Sequence, residues 1–500
     1  MVASVALLGL ALLASGCGDP DLWARFRAER GTWRIAREIR RITIEPRLAS
    51  ETDFARAEAE CRAVLAAFPA REWAAPARLE DPVARDVATE AGRAALSLGR
   101  IAELRGAREE ALAHYEAALA DWGALRGVAL EAALAQARVF DAAGQTAAAA
   151  AAWGRVAASF DPRDEAGRVL EEVLEAPRRA AALEREIGRE KEAQAVLRAG
   201  ITRLERLSSA ETQPARAAVW WEALAGDYEA MGDPMAALEA RRRALAAAPP
   251  QRERERERLR LELARAALAA GLPDSARIMV APLTRTWRLE HRLAAWLLTG
   301  RAHAARGRVD SAMAAWDRVA DDHPNAVDAA AEARWLRGAA LQAAGRWDEA
   351  RTEYRALAAT YPAHRLALQA TGRIVEYHAR RGQDELARLE GLRAIEAMDR
   401  LILRQRDLDV QFEARRMRAL LLEAVGSPEE AFEALAGFWR RYPRSYDGQE
   451  AGLRAAAIAD SALHERERAV DLYREMDGRP IRTAVRERVR ARLTALGAGE

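Results

Sequence analysis

The histidines are the first side chains to weigh for chemistry: His114, His291, His303, His323, His364, His378 and His464. None stands in the His-Glu-x-x-His pattern that sets two imidazoles on one helix face around zinc. His291 and His303 are about three helical turns apart, too far to share a metal ion within one helix. All seven are expected at the surface or in loops, and no metal site is expected. Lysine occurs once, at Lys191 after Glu190, so a Gly-Lys-Ser/Thr phosphate loop cannot form. No Gly-x-Gly-x-x-Gly follows a strand, and no Gly-x-Ser-x-Gly elbow occurs. Acid pairs exist, Glu109-Glu110 and Asp321-Asp322 among them. Their expected place is a turn or the first turn of a helix, where negative charge meets the positive end of the dipole. These residue types predict neither a catalytic centre nor a cofactor, and the chain reads as a non-enzyme.

The two cysteines sit in different contexts. Cys17 closes the segment MVASVALLGLALLASGC, whose uncharged run is short for a bilayer span and has the length of a signal-peptide core. Ala14, Ser15 and Gly16 directly before Cys17, with Leu13 ahead of them, resemble the bacterial lipobox. The resemblance implies that residues 1–16 are a lipoprotein signal peptide and that Cys17 carries lipid. Gly18 in place of Asp agrees, in the best-known sorting system, with an outer-membrane lipoprotein facing the periplasm. Inner-membrane anchoring or secretion are the alternatives. Cys61, in DFARAEAECRAVLAAFP, falls on the apolar face of a helix and is expected as a buried small hydrophobe without a disulfide partner.

What positions the remaining polar groups is a repeat. Residues 338–362, GAALQAAGRWDEARTEYRALAATYP, read as two helices joined by a tight turn at Gly345-Arg346. Gly338 and Leu341 lie on the first helix; Ala350, Tyr354 and Leu357 lie on the second; Pro362 stops the pair. Small residues let two helices approach, large ones fill the gap, and Gly then Pro close the turns. The pattern recurs with Gly99, Gly106, Ala111 and Tyr115, with Gly144, Ala149 and Trp153, with Gly300, Gly307, Ala312 and Trp316, and with Gly426, Ala431 and Phe438. The matching alanines stand at 111, 149, 193, 237, 276, 312, 350, 387, 431 and 469, spaced 36 to 44 apart. Between 166 and 206 the register is degenerate, and Pro177 suggests an interrupted first helix.

This pattern resembles the tetratricopeptide (TPR) consensus, whose ideal period is roughly 34 residues. The resemblance implies an all-α, right-handed solenoid of about ten helix pairs. Residues 17–82 would be N-terminal helices and linker, 83–478 the array, and 479–500 a capping helix and tail. Trp23, Phe26, Trp33 and Ile35 are candidate anchors of the first helix, which Asp21 would cap; residues 70–82 are the expected linker. The charge-dense run PPQRERERERLRLELARAALAAG (249–271) reads as a solvated helix laced by ion pairs.

In TPR proteins the first helix of each pair lines a concave groove suited to a peptide or partner helix. Register on Gly338 then places Trp335, Glu332 and Gln342 toward that groove, with Leu297, Arg301, Glu222 and Glu229 from neighbouring repeats. Chaperone-binding TPR domains hold a terminal carboxylate there with Lys and Asn; here Trp, Leu or Glu occupy those positions, so that clamp is not expected. Half the residues are apolar and the net charge is only +2, without a basic stripe, which argues against nucleic acid as partner. The expected function is a lipid-anchored scaffold for other envelope proteins or peptides, in envelope assembly or cell-wall coordination. The chain also resembles the superhelix of soluble lytic transglycosylases. It has no Glu-Ser pair of their catalytic domain, so the second reading is a degenerate superhelix that binds glycan.

Overall fold

A computed structural model describes residues 20–44, 49–164, 166–479 and 481–498. Cys17 and the signal segment lie outside the described residues. Twenty-four α-helices are present among the described residues. Three precede the array: α1 (Pro20–Ile44), α2 (Glu51–Ala67) and the single turn α3 (Ala70–Trp73). The helix pairs follow: α4 (Pro82–Arg105) with α5 (Arg108–Trp122), α6 (Arg126–Ala142) with α7 (Thr146–Ser159), and α8 (Glu171–Glu186) with α9 (Glu190–Ala210). Next come α10 (Pro214–Met231) with α11 (Pro234–Ala247), α12 (Glu253–Ala269) with α13 (Pro273–Val280), and α14 (Leu289–Ala305) with α15 (Val309–Ala320). The last are α16 (Val327–Ala343) with α17 (Trp347–Thr360), α18 (Arg365–Ala379) with α19 (Asp384–Arg404), α20 (Leu408–Ala424) with α21 (Pro428–Arg441), and α22 (Tyr446–Ser461) with α23 (Arg466–Asp477). The final helix, α24 (Thr483–Ala495), packs on α22 and α23. The chain forms two compact bodies that divide between residues 200 and 201, inside α9.

Within each body a helix packs on its neighbours in sequence, and first helices also touch first helices, as α12 does α14 and α14 does α16. All ten repeat alanines are at most 3% exposed. They mark where two helices cross too closely for a longer side chain. The large residues fill the adjacent space: Trp153 and Trp316 are fully buried. Each such aromatic withdraws enough surface for roughly 4–6 kcal/mol of transfer free energy. At the turn, Gly345 adopts φ +78°, a left-handed conformation that costs a side-chain-bearing residue about 1 kcal/mol or more.

The spacings longer than the ideal repeat have two sources. Helices α9 and α19 each run to 21 residues, and the connection from α7 to α8 carries an insertion closed by an isolated bridge between Arg163 and Val169. Several local expectations are corrected. Pro177 does not interrupt α8; it sits buried within the helix. There the packing of Val173, Leu174, Ala176 and Ala180 outweighs the roughly 3 kcal/mol that an interior proline costs. Trp23 and Trp33 are exposed, whereas Ile35 does anchor α1, together with Ala28, Ile39 and Ile42. Asp21 lies inside the first turn of α1 and bonds to Arg78, so it does not cap the helix. The stretch 70–82 is not bare linker: Trp73 is buried, edge-on to Phe68 and covered by the Arg78 guanidinium. Glu109 and Glu110 do occupy the first turn of α5. Asp321 and Asp322 occupy the turn that follows α15, as expected; at that C-terminal end the dipole gives no support, and Arg334 and Arg337 neutralise Asp321 at 3.3 and 3.2 Å.

Cys61 is fully buried, and burial, with the Glu58 charge behind it, pushes its thiol up to about 12. At neutral pH that sulfur is a packing atom and not a nucleophile. No described helix is long and apolar enough to cross a membrane.

Candidate partner-binding groove

The second body carries three adjoining clefts along its first helices. One of about 380 Å³ lies among α10, α11 and α12, lined by Glu229, Arg241, Glu262 and Arg265. One of about 930 Å³ lies between α12 and α14 and is lined by Arg254, Arg258, Leu261, Glu290 and His291. One of about 570 Å³ lies between α14 and α16, lined by Leu289, Leu293, Leu297, Arg301, Val327 and Glu332. Arg265 borders all three, and Glu290 and Ala294 border the second and third. The clefts therefore form one continuous groove, spanning residues 229–332.

The residue pattern explains why the groove faces this way. Along α12 the alternation of Arg and Glu sends one set of charges to solvent and another across to the flanking first helices. Arg258 pairs with Glu222 on α10, Arg254 with Glu290 on α14 at 3.0 Å, and Arg301 on α14 with Glu332 on α16 at 2.6 Å. The bond to Glu222 holds Arg258 above the usual guanidinium range, against the desolvation that opposes it. Exposed pairs of this kind contribute little stability, typically below about 1 kcal/mol each. Their effect is to fix the register of neighbouring repeats and to leave the groove close to neutral.

One pair is different. Glu257 on α12 is buried and meets the His291 Nδ1 at 2.6 Å, the Thr286 hydroxyl at 2.8 Å and the Arg288 guanidinium at 3.1 Å. Burial opposes its charge, yet the hydrogen bonds from His291 and Thr286 and the Arg288 charge hold the carboxyl below its ordinary range. His291, 8% exposed, is thus a buried histidine, as is His378, whose Nδ1 lies 2.7 Å from the Gln383 amide oxygen. This corrects the expectation that all seven lie at the surface. A buried carboxylate across the helix contact supplies the partner that makes such burial tolerable. Among the described residues, no group of three or more His, Cys, Asp or Glu is arranged to hold a metal ion.

The seven residues expected in the groove divide into three sets. Leu297, Arg301 and Glu332 converge on the cleft between α14 and α16. Glu229 lines the first cleft, where Arg241 holds it at 2.7 Å, and Glu222 reaches the groove through Arg258. Trp335 and Gln342 are engaged in packing: the Trp335 ring tilts against Tyr354 at 5.5 Å with Arg373 over it, and Gln342 accepts the Tyr354 hydroxyl at 3.1 Å. Sequence reasoning missed Arg258, Arg265, Glu290 and the Glu257–His291 pair. Their only signal was the Arg/Glu alternation, which does not say which charge crosses to which helix.

A further cleft of about 760 Å³ lies in the same body between α20, α22 and α24.

Helix pairs with a small residue under an aromatic and a left-handed glycine in the turn define a TPR-type architecture. A family model described as tetratricopeptide repeat matches residues 294–326 and 332–364, the α14–α15 and α16–α17 pairs. Among solved structures the chain is similar to yeast Tom70 (TM-score 0.37, 13% identity, covering 94% of this chain and 96% of that one). It is similar also to a tetratricopeptide repeat protein from Parabacteroides merdae (0.28, 14%, covering 55% and 97%). A third similar structure is Rap protein complexed with competence and sporulation factor (0.33, 13%, covering 72% and 98%). No curated protein matches the chain significantly. The repeats support a protein-interaction scaffold.

Proposed function

We propose that this protein is a non-enzymatic, lipid-anchored scaffold of the bacterial envelope that binds partner proteins or peptides along its first-helix face. The observation that carries the reading is the continuity of the groove over residues 229–332, with Leu289, Leu293, Leu297 and Val327 as an apolar floor between rails of paired charge. An extended segment or an amphipathic helix fits such a surface: apolar side chains give affinity and the rails give register. The anchor rests on the lipobox-like residues before Cys17, and the outer membrane facing the periplasm is the compartment that Gly18 favours. Envelope assembly or cell-wall coordination is the corresponding role.

Three experiments test it. Cys17→Ser should leave the protein without lipid and move it from the membrane to the soluble periplasmic fraction; unchanged mass and membrane retention would remove the anchor. Crosslinking in cells, followed by mass spectrometry of the captured proteins, should recover envelope proteins in quantity. Release of muropeptides by the purified protein would instead overturn the non-enzymatic reading.

A further inference from the structure

Helix α1 carries a charge excess that the rest of the chain does not share. It holds seven arginines against Asp21, Glu29 and Glu38, in a chain whose net charge is +2. Ala28, Thr32, Ile35, Ile39 and Ile42 recur every three or four positions and form the face that packs on α2 and α4. On the opposite face Trp23, Arg30, Arg37 and Ile44 follow one another at seven-residue steps, with Trp33 and Arg40 beside them. Trp23, Trp33 and Ile44 are 45%, 38% and 73% exposed. The exposed charges of the helix are Arg27, Arg30, Arg37, Arg40 and Arg41, and no acid of α1 is among them. Glu38 is buried and shared by Arg37, Arg41 and Arg56. The acids that α2 and α4 bring to the helix, Glu60 and Asp86, are taken by Arg34 and Arg25. Arg27, Arg30 and Arg40 make no ion pair with a described residue.

The arginine-dense helix α12 is built differently. Its run from Glu253 to Arg258 alternates the two signs, and Arg254 and Arg258 find Glu290 and Glu222 on flanking helices. Paired charges of that kind suit a face that meets water. Unmatched arginines interleaved with tryptophan and isoleucine suit the headgroup layer of a bilayer, where indoles sit between water and acyl chains and guanidiniums meet anionic lipid. We propose that the outer face of α1 lies along an anionic membrane surface, with Trp23, Trp33 and Ile44 at the acyl boundary and Arg27, Arg30, Arg37 and Arg40 on the lipid phosphates. Charge complementarity selects this neighbour, and position supports it: Pro20 comes three residues after Cys17, so a lipid there would hold the helix at that surface. A lipid group and a basic, aromatic helix are together the two signals that stable anchoring takes. The helix is not apolar enough to cross the membrane, and it lies on it. The inference rests on the anchored reading and names what the anchor brings to the bilayer. Without lipid the contact is reversible and weakened by salt, so the Cys17→Ser protein still fractionates as soluble.

The test is tryptophan fluorescence of the full-length protein reconstituted in vesicles of phosphatidylethanolamine and phosphatidylglycerol with brominated acyl chains, which quench indoles at the acyl boundary. The wild-type protein should be quenched. Trp23→Phe together with Trp33→Phe should remove at least about half of that quenching, because Trp73, Trp122 and Trp153 in the same body are buried. Changing Arg27, Arg30, Arg37 and Arg40 to Gln should reduce it at least about threefold, as should replacing the phosphatidylglycerol by phosphatidylcholine. These four arginines are exposed, so their substitution leaves the core intact, and unchanged circular dichroism checks this. A protein shown by intact mass to be lipidated that is not quenched, the result if the face met an acidic protein instead, overturns the proposal and leaves the anchor standing. Equal quenching of the wild type and both variants overturns it as well. Protein recovered without lipid that still floats with the anionic vesicles and is quenched would remove the anchor and support the membrane contact of α1.

Discussion

The repeat at 338–362 and the repeat that ends at Tyr473 have one backbone plan and different residues around the tyrosine and in the turn. In the first, Gly338 and Gln342 serve the Tyr354 ring and hydroxyl, and Gly345 serves the turn. In the last, the corresponding positions are Ala457, Ser461 and His464, and His464 takes the turn at φ +59° where other repeats use glycine. Local irregularity is expected where function competes with packing.

The comparison can be broken most sharply at the glycine. A Cβ at position 338 would come within 2.6 Å of the Tyr354 ring, so Gly338→Ala should cost about 2–3 kcal/mol in denaturant unfolding. Ala457→Gly, at the aligned position, should cost no more than about 1 kcal/mol. Equal effects would mean the two repeats are packed alike.

A second prediction concerns a polar group that is fully met. The Glu211 carboxylate accepts from the Gln213 amide at 2.9 Å and the Trp220 indole at 3.2 Å, and pairs with Arg216 at 3.0 Å. Burial works against its charge, yet these bonds and the arginine hold its carboxyl down at about 2. A depressed folded value means that its stabilisation is complete above the unfolded value of roughly 4.3 and is lost as the pH falls toward 2. Glu211→Gln should therefore lower stability at neutral pH and flatten the loss between those limits, read by thermal melts across pH.

The tyrosines give a smaller contrast. Tyr354→Phe removes a made hydrogen bond and strands Gln342, at about 1 kcal/mol, whereas Tyr473→Phe should change stability by less than about 0.5 kcal/mol. The turn gives the smallest effect and the opposite sign: His464→Gly should stabilise by about 0.5–1 kcal/mol, because glycine adopts the left-handed turn without strain. A destabilising result there would show that His464 contributes contacts beyond its backbone.

What was legible in the sequence is what recurs within one repeat. The ten alanines, the glycine beneath Tyr354 and the left-handed Gly345 follow from spacings of a few turns, and each is found where the pattern puts it. What was not legible crosses between repeats. Arg301 finds Glu332 at a separation of 31 residues, Glu257 finds His291 at 34, and Arg258 finds Glu222 at 36. Those contacts depend on how neighbouring pairs stack, which varies with the helix lengths and insertions. Trp335 shows the same limit: the register puts it on the groove helix, and only the positions of Tyr354 and Arg373 show that its ring is taken up in packing. The exposure of Trp23 and Trp33 was equally hidden, since helical spacing alone does not say which face of α1 meets α4.

The central claim is that partners bind the first-helix face of the second body. A photo-crosslinking amino acid placed singly at Arg301, at Arg258 and at Asp348, an exposed residue of the second helix α17, tests it in living cells. The account predicts covalent capture of protein partners from positions 301 and 258 and none above background from 348. Capture from 348 as strong as from the groove positions, or from none of the three, would contradict it.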